Sequence, residues 1–299
     1  MIYVEELLEK YRKTQTESKA TKLTFKNVGD KDVYNITAPF TLDGQVIIAG
    51  RVESREDEHS EIILFTEAEE NTWVPIETGI RLSLQDPFFT KIDNTIILGG
   101  VEVNFLPTGQ AKWRTVFYRL ETCHSAVKIF AGPWGMKDLR LKQLNDGKIL
   151  VLTRPQGTKG GRGKIGAVVI EDLTSLSIEI IENATLLANQ FTDSEWGGAN
   201  EIHQIETSIW VLGHIAKFDE KNDRHYYAMA FELDLANFAM KNAKIIAERK
   251  DFAAGPAKRP DLVDIVFSGG IVVKDQKAVI YAGISDANAQ KLEIENPFR

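Results

Sequence analysis

Cysteine is nearly absent: Cys123 is the only one in 299 residues, so no intrachain disulfide can form. Positive charge is in deficit, with 36 Lys and Arg against 43 Asp and Glu and a net charge of −7. That balance excludes a nucleic-acid binder held by phosphate contacts, since no basic stripe offsets it. No apolar run approaches the length of a membrane span. No positively charged and then apolar leader opens the chain; residues 1 to 20 are dominated by Glu, Lys and Thr, and the cytoplasm is the expected compartment. Histidine is scarce, and the spacing of His203, His214 and His225 matches no zinc-ligand pattern, so no metal is expected. A G-x-S-x-G nucleophile elbow is missing too. The run Gly157 to Gly166, GTKGGRGKIG, is not a phosphate-binding P-loop: it lacks a Gly five residues before Gly163 and has Ile165 where Ser or Thr is required. It reads as a mobile hairpin loop whose Lys159, Arg162 and Lys164 are within reach of an anionic substrate.

What the chain does contain is one hairpin grammar used five times. The stretch Leu84 to Val103, LQDPFFTKIDNTIILGGVEV, places Asp86-Pro87 before a short strand, then a polar turn, then the apolar run Thr95 to Leu98. Residues 38–53, 137–156, 198–216 and 266–286 share that order of opening, strand, turn and strongly apolar strand. Copies begin roughly 50 to 65 residues apart, near the upper end of propeller-type periods. Such units cannot bury their faces singly, and radial packing solves the problem. The expected fold is therefore all-β, a single five-bladed β-propeller domain over residues 1–299 with blades near 33–68, 84–121, 135–183, 196–235 and 260–297. A large β-sandwich with look-alike hairpins is the alternative.

Ile2, Leu7, Leu8 and Tyr11 form an apolar stripe opposite charged residues, predicting an N-terminal helix over residues 2–18. It either caps the propeller or, the reading slightly favoured, contacts a second subunit and makes a homo-oligomer. Residues 22–28 read as a strand that completes the last blade beside 291–295, hiding a sheet edge. The connector 237–259, rich in Ala and Lys, is given a short helix.

In a propeller the inner strands and the loops at one end converge. The residues at those positions are charged or polar: Arg51 and Glu53, Asp86 and Glu102, Lys137 and Asp138, Arg154, Asn200 and Glu201, His214, Asp264 and Asp286. Singly, each also reads as a solvated strand end. In phase across five repeats they match what glycosidic-bond cleavage requires, an acid for the leaving oxygen and a second group that supplies or activates the nucleophile. Asp86 is the foremost catalytic candidate, with Pro87 expected to hold it extended. Trp134 and Trp196 are the candidates for stacking on sugar rings, whereas Trp210 reads as core.

Gln85-Asp86-Pro87, Lys137-Asp138 with Gly147-Lys148 and Arg154-Pro155, the strand Ile209 to Ile215 and the closing Ile280 to Asp286 together resemble the five-bladed propeller glycosidases of the β-mannoside phosphorylase and mannosidase family. Gln85 and Phe88 stand where that family typically has Glu and Arg, which marks a side branch. The resemblance implies inverting hydrolysis or phosphorolysis of a short glycoside such as a β-mannoside. It implies Asp86 as general acid, Lys137, Arg154 and His214 on phosphate, and Asp138 and Asp286 on sugar hydroxyls. Arg51, Glu53, Glu102, Trp134, Asn200, Glu201 and Asp264 complete the expected substrate-binding set. No cofactor is expected beyond inorganic phosphate as co-substrate, and the expected partner is a small carbohydrate. The competing expectation is a non-catalytic propeller that binds a sugar or a protein.

Overall fold

The strongly apolar segment of each repeat forms a strand buried on both faces in the computed structural model, which describes residues 1–15 and 18–299. Successive side chains of a strand point to opposite sides, so each such strand feeds two cores at once. In Gln45–Glu53, Ile47 and Ala49 enter one apolar cluster while Ile48 enters another. In Ile149–Thr153, Leu150 and Leu152 face one way and Ile149 and Val151 the other. An uninterrupted apolar run is the sequence consequence of that double burial.

The architecture is all-β and propeller-like; among the described residues the strands form four sheets made of antiparallel units, the largest sheet joining its two units where His225 and Tyr226 pair in parallel with Asp264 and Ile265. In the first, Asp32–Tyr34 and Phe40–Leu42 pair with opposite ends of Gln45–Glu53, followed by Ser60–Glu69 and Thr72–Pro75. The second comprises Gln85–Ile92, Thr95–Phe105, Ala111–Thr122 and Ser125–Ala131, and the third Arg140–Gln143, Ile149–Thr153, Gly166–Ile170 and Thr185–Leu186. The fourth runs Trp196–Ile205, Ser208–Phe218, Arg224–Asp234 and Ala239–Ala247. Asp264–Lys274, Lys277–Ile284 and Asn288–Glu295 form the fifth, and Lys19–Lys22 joins its outer edge with Lys19 opposite Glu293. The apolar clusters lie between consecutive units, and one of them returns to join the fifth to the first, where Tyr281 and Ala289 meet Val33, Ile36 and Ile63. A circular series of shared cores leaves the polar strand openings as the place where all units meet.

Several expectations shift. The strand over 22–28 divides: Lys19–Lys22 closes the fifth unit, and Thr24–Phe25 instead pairs in parallel with Thr72–Pro75. The connector 237–259 holds the strand Ala239–Ala247, and its short helix is a three-residue 3-10 helix at Arg249–Asp251. The N-terminal helix spans Val4–Thr14; the remainder of its predicted range includes residues 16 and 17, which lie outside the described residues. Its apolar face does not await a second subunit. Val4, Leu7 and Leu8 are buried in the core shared by the third and fourth units. Tyr11 Oη donates to Asp251 Oδ2 at 2.6 Å, and Arg12 Nη2 reaches Glu248 Oε2 at 2.6 Å. The capping alternative is the one observed. Among the described residues no helix is long and apolar enough to cross a membrane.

Candidate active site

Three strand openings depart from regular geometry at equivalent places, and each departure aims a polar side chain inward. Asn35, Asp86 and Asp138 have positive φ angles of 46°, 49° and 61°. Asn and Asp are the side chains that tolerate this region best after glycine. The expectation that Pro87 holds Asp86 extended is thereby corrected. Register slips by one residue across Asp86-Pro87, at Asn200 and at Gly269, the marks of β-bulges that re-aim a side chain. Strain of this kind persists where surrounding structure enforces it.

These openings border one cavity of about 580 Å³. Of the sequence-predicted residues, Asp86, Arg51, Lys137, Asp138, Arg154, His214 and Asp286 line it. Asp86 Oδ1 accepts from Asn35 Nδ2 at 2.7 Å and from Arg51 Nη1 at 3.0 Å. Burial alone would raise its carboxyl, but the charges of Arg51 and Lys137 and the donor Asn35 prevail and hold it below the usual range. Asp138 behaves alike: burial opposes ionisation, yet Arg154, Lys137, His214 and Arg140 bring it down to about 2. Asp286 sits on a turn where Ser285 and Asp286 both have positive φ. Burial pushes its carboxyl up to about 6, against the pull of Arg51, and the negative charge of Asp86 adds to the rise. The two carboxyls are thus pushed apart, Asp86 below the usual range and Asp286 above it.

On the other side, Arg154 Nε donates to Gly197 O at 2.8 Å and lies 3.4 Å from Asp138 Oδ2. Arg154 Nη1 and Asp138 Oδ2 are buried without a hydrogen-bond partner among the described residues. Gly198 marks the junction: a Cβ there would stand 2.8 Å from His214 Cε1, 3.0 Å from Arg154 Cδ and 3.1 Å from Asp138 Oδ2. Asn200 Nδ2 donates to Ser268 O at 2.6 Å, leaving Oδ1 to accept from His214 Nδ1 at 2.8 Å. That arrangement puts the ring proton on Nδ1 and leaves Nε2 as an acceptor. Burial, reinforced by the nearby cations and opposed by Asp138, takes His214 down to about 3, so it works as a neutral acceptor.

Apart from Trp196, the remaining predicted residues do not border the cavity. Glu53 is buried behind Arg51, accepting from Tyr34 Oη at 2.5 Å and from Arg51 Nε at 3.1 Å, and it also pairs with Lys258. Asn200 sits behind His214. Glu201 ties the fourth unit to the fifth by accepting from Ile271 N at 2.8 Å. Glu102 is consumed by Arg114 at 2.5 Å and Lys128 at 2.9 Å, and Asp264 by His225 at 2.5 Å. Trp134 lies under the Arg114 guanidinium, 4.3 Å from its ring, and Trp113 lines the cavity instead. Trp196 does line it, though only 5% exposed.

Sequence reasoning missed Asn35 and Lys258, both of which line the cavity. A first repeat that starts at residue 38 leaves out the positive-φ opening at Asn35; phasing it on Asp86 points to Asn35. Lys258 comes from a connector with no repeat signal. The loop 157–166 also has a different use: a Cβ on Gly163, at φ 145°, would stand 2.5 Å from Arg154 Nη2, so glycine there lets the backbone lie against the guanidinium.

Among solved structures, the chain superposes with a TM-score of 0.91 on MPT-4, a mannose phosphorylase from Leishmania mexicana in complex with phosphate ion. Identity is 31%, over 98% of this chain and 93% of that one. MPT-1, a GDP-Man-dependent mannosyltransferase from the same organism, matches with a TM-score of 0.90 and 29% identity, over 99% and 95% of the two chains. A β-1,2-mannobiose phosphorylase from Listeria innocua shares the fold, with a TM-score of 0.63 and 14% identity over 94% and 92%. No curated protein matches the sequence. The family model described as protein of unknown function, DUF1861, matches residues 9–299, and the chain belongs to that family.

Proposed function

We propose that this protein is an inverting glycoside phosphorylase acting on a short mannoside, with its site at the open end of a single five-bladed propeller domain. The observation that carries the reading is that the carboxylates Asp86 and Asp286, the cations Lys137 and Arg154 and the neutral His214 line one cavity. The similarity to a mannose phosphorylase solved with phosphate supports it.

Arg154 has an unpartnered edge suited to a phosphate oxygen, and Lys137 adds charge. His214 Nε2 accepts a hydrogen bond from the hydroxyl of monohydrogen phosphate, which keeps its proton. A phosphate oxygen attacks the anomeric carbon, and the bond to the departing sugar breaks with its electron pair moving to the glycosidic oxygen. That oxygen receives a proton from Asp86. Because two neighbouring carboxyls titrate as a pair, the proton Asp286 holds near pH 6 is the one Asp86 passes on. Phosphate enters as an anion, so no second catalytic carboxylate is required to activate it.

The test is turnover of manno- and gluco-disaccharides with and without phosphate, with GDP-Man as an alternative donor. The expected result is phosphate-dependent release of a sugar 1-phosphate, lost on Asp86→Asn. No turnover by the wild type, or an unimpaired Asp86→Asn variant, rejects the assignment. Mannosyl transfer from GDP-Man is the second reading, favoured by the 29% identity to a GDP-Man-dependent enzyme over nearly the whole chain; the same cations would face its diphosphate.

A further inference from the structure

The helix Val4–Thr14 begins without a cap of its own, since Tyr3 at the N-cap makes no side-chain hydrogen bond. A helix start presents unpaired N–H groups and a positive dipole end. The partner comes from 191 residues away: the Val4 amide donates to Glu195 Oε1 at 2.8 Å, in a buried position. Glu195 immediately precedes Trp196, which lines the cavity.

The stitching continues from there. Ile2 N donates to Gln190 O at 3.1 Å, and Ile2 bridges Phe191 in parallel. Buried Gln190 accepts from Ile165 N at 2.6 Å and donates to Ile165 O at 2.9 Å and Leu187 O at 2.7 Å. Gly197 N donates to Gly163 O at 3.2 Å, and Lys164 pairs with Asp193 at 2.9 Å. The glycine-rich loop is therefore held along its C-terminal flank, residues 163–165, by the segment 190–197, which the N-terminal residues in turn hold. At its tip, exposed Arg162 faces the cavity, 5.0 Å from the Phe218 ring and 5.8 Å from the Trp196 ring. No carboxylate pairs with it among the described residues, and the adjacent Gly163 lies against Arg154.

We propose that Arg162 is a further ligand of the phosphate that Lys137 and Arg154 hold, and that Glu195 is the positioning residue that keeps it there. The inference rests on phosphate being the co-substrate. The loop read from sequence as mobile is instead tied down by the N-terminal helix, and an arginine over aromatic rings is oriented while its donors stay free.

The test uses the full chain with inorganic phosphate as the probe. Phosphate affinity is measured by calorimetry, and KM values are measured for phosphate and mannoside separately. Arg162→Ala, an exposed position that leaves folding intact, is expected to weaken phosphate binding about tenfold. Glu195→Ala is expected to raise the KM for phosphate several-fold, leave kcat at saturating phosphate and the KM for mannoside unchanged, and increase quenching of Trp196 fluorescence relative to a Trp196→Phe control. Glu195→Gln keeps the acceptor for Val4 and is expected to restore the wild-type values. Undiminished phosphate binding by both Arg162→Ala and Glu195→Ala overturns this inference alone. A wild type that binds no phosphate overturns it together with the phosphorylase reading.

Discussion

Replacing Asp286 by Asn should make the protein more stable at neutral pH and a poorer catalyst. Burial raises the Asp286 carboxyl from 3.8 to about 6. At about 1.4 kcal/mol per pH unit, ionising it in the folded protein costs about 3 kcal/mol more than in the unfolded chain. The folded state binds this proton more tightly than the unfolded state does. Its contribution to stability is therefore complete below about pH 4 and is lost as pH rises through about 6. Asn carries no such dependence. The variant should thus gain about 3 kcal/mol on the wild type between about pH 4 and pH 7.5, seen as a rise of about 6 °C in the melting-temperature difference. Calorimetric melts of both proteins across that range read the difference directly. Asp86 and Asp138, whose lowered carboxyls act with the opposite sign, and Asp264, raised by burial, largely cancel in it. The wild-type kcat/KM should also fall as pH rises above about 6, and the variant should lose that limb. A melting difference that stays constant with pH, or a variant less stable at neutral pH, refutes the reasoning.

Three further outcomes are expected. Asp86→Asn should lower turnover by about 10² to 10⁴-fold with phosphate affinity preserved, measured by initial rates and by titration calorimetry. Arg51→Ala leaves Asp86 and Glu53 without their guanidinium and should destabilise the fold by about 3–5 kcal/mol in urea unfolding; a loss below about 1 kcal/mol would show that Lys258 and Asn35 suffice. Gly163→Ala places a methyl against Arg154 and forces an unfavourable φ, so phosphate affinity should drop about tenfold, and unchanged binding would show that the guanidinium yields freely.

The repeat was legible because it is local. Thr95-Ile96-Ile97-Leu98 and Ile209 to Leu212 read as strands buried on both faces, and their flanking turns carry Asp, Asn, Gly or Glu. Asp86 and Asp138 were found because each stands at the same point of its unit, where the backbone turns left-handed and points the side chain inward. Glu102 and Glu201 stand only a residue or two from comparable phases, yet neither reaches the cavity. A one-residue change in register moves a strand side chain to the opposite face, and a bulge makes that change without a sequence signature of its own.

The sequence by itself determined the strand–turn–strand unit and the chemistry available at the strand openings, since periodicity and turn residues act over a few neighbours. Only the tertiary structure decided which charges share the cavity. It alone lowered the Asp86 carboxyl beside Arg51 while raising that of Asp286, fixed His214 as a neutral acceptor through Asn200, and brought Glu195 to the start of a helix 191 residues away. Protonation and orientation depend on burial and on partner charges, and those come from parts of the chain that meet only when the ring of units closes.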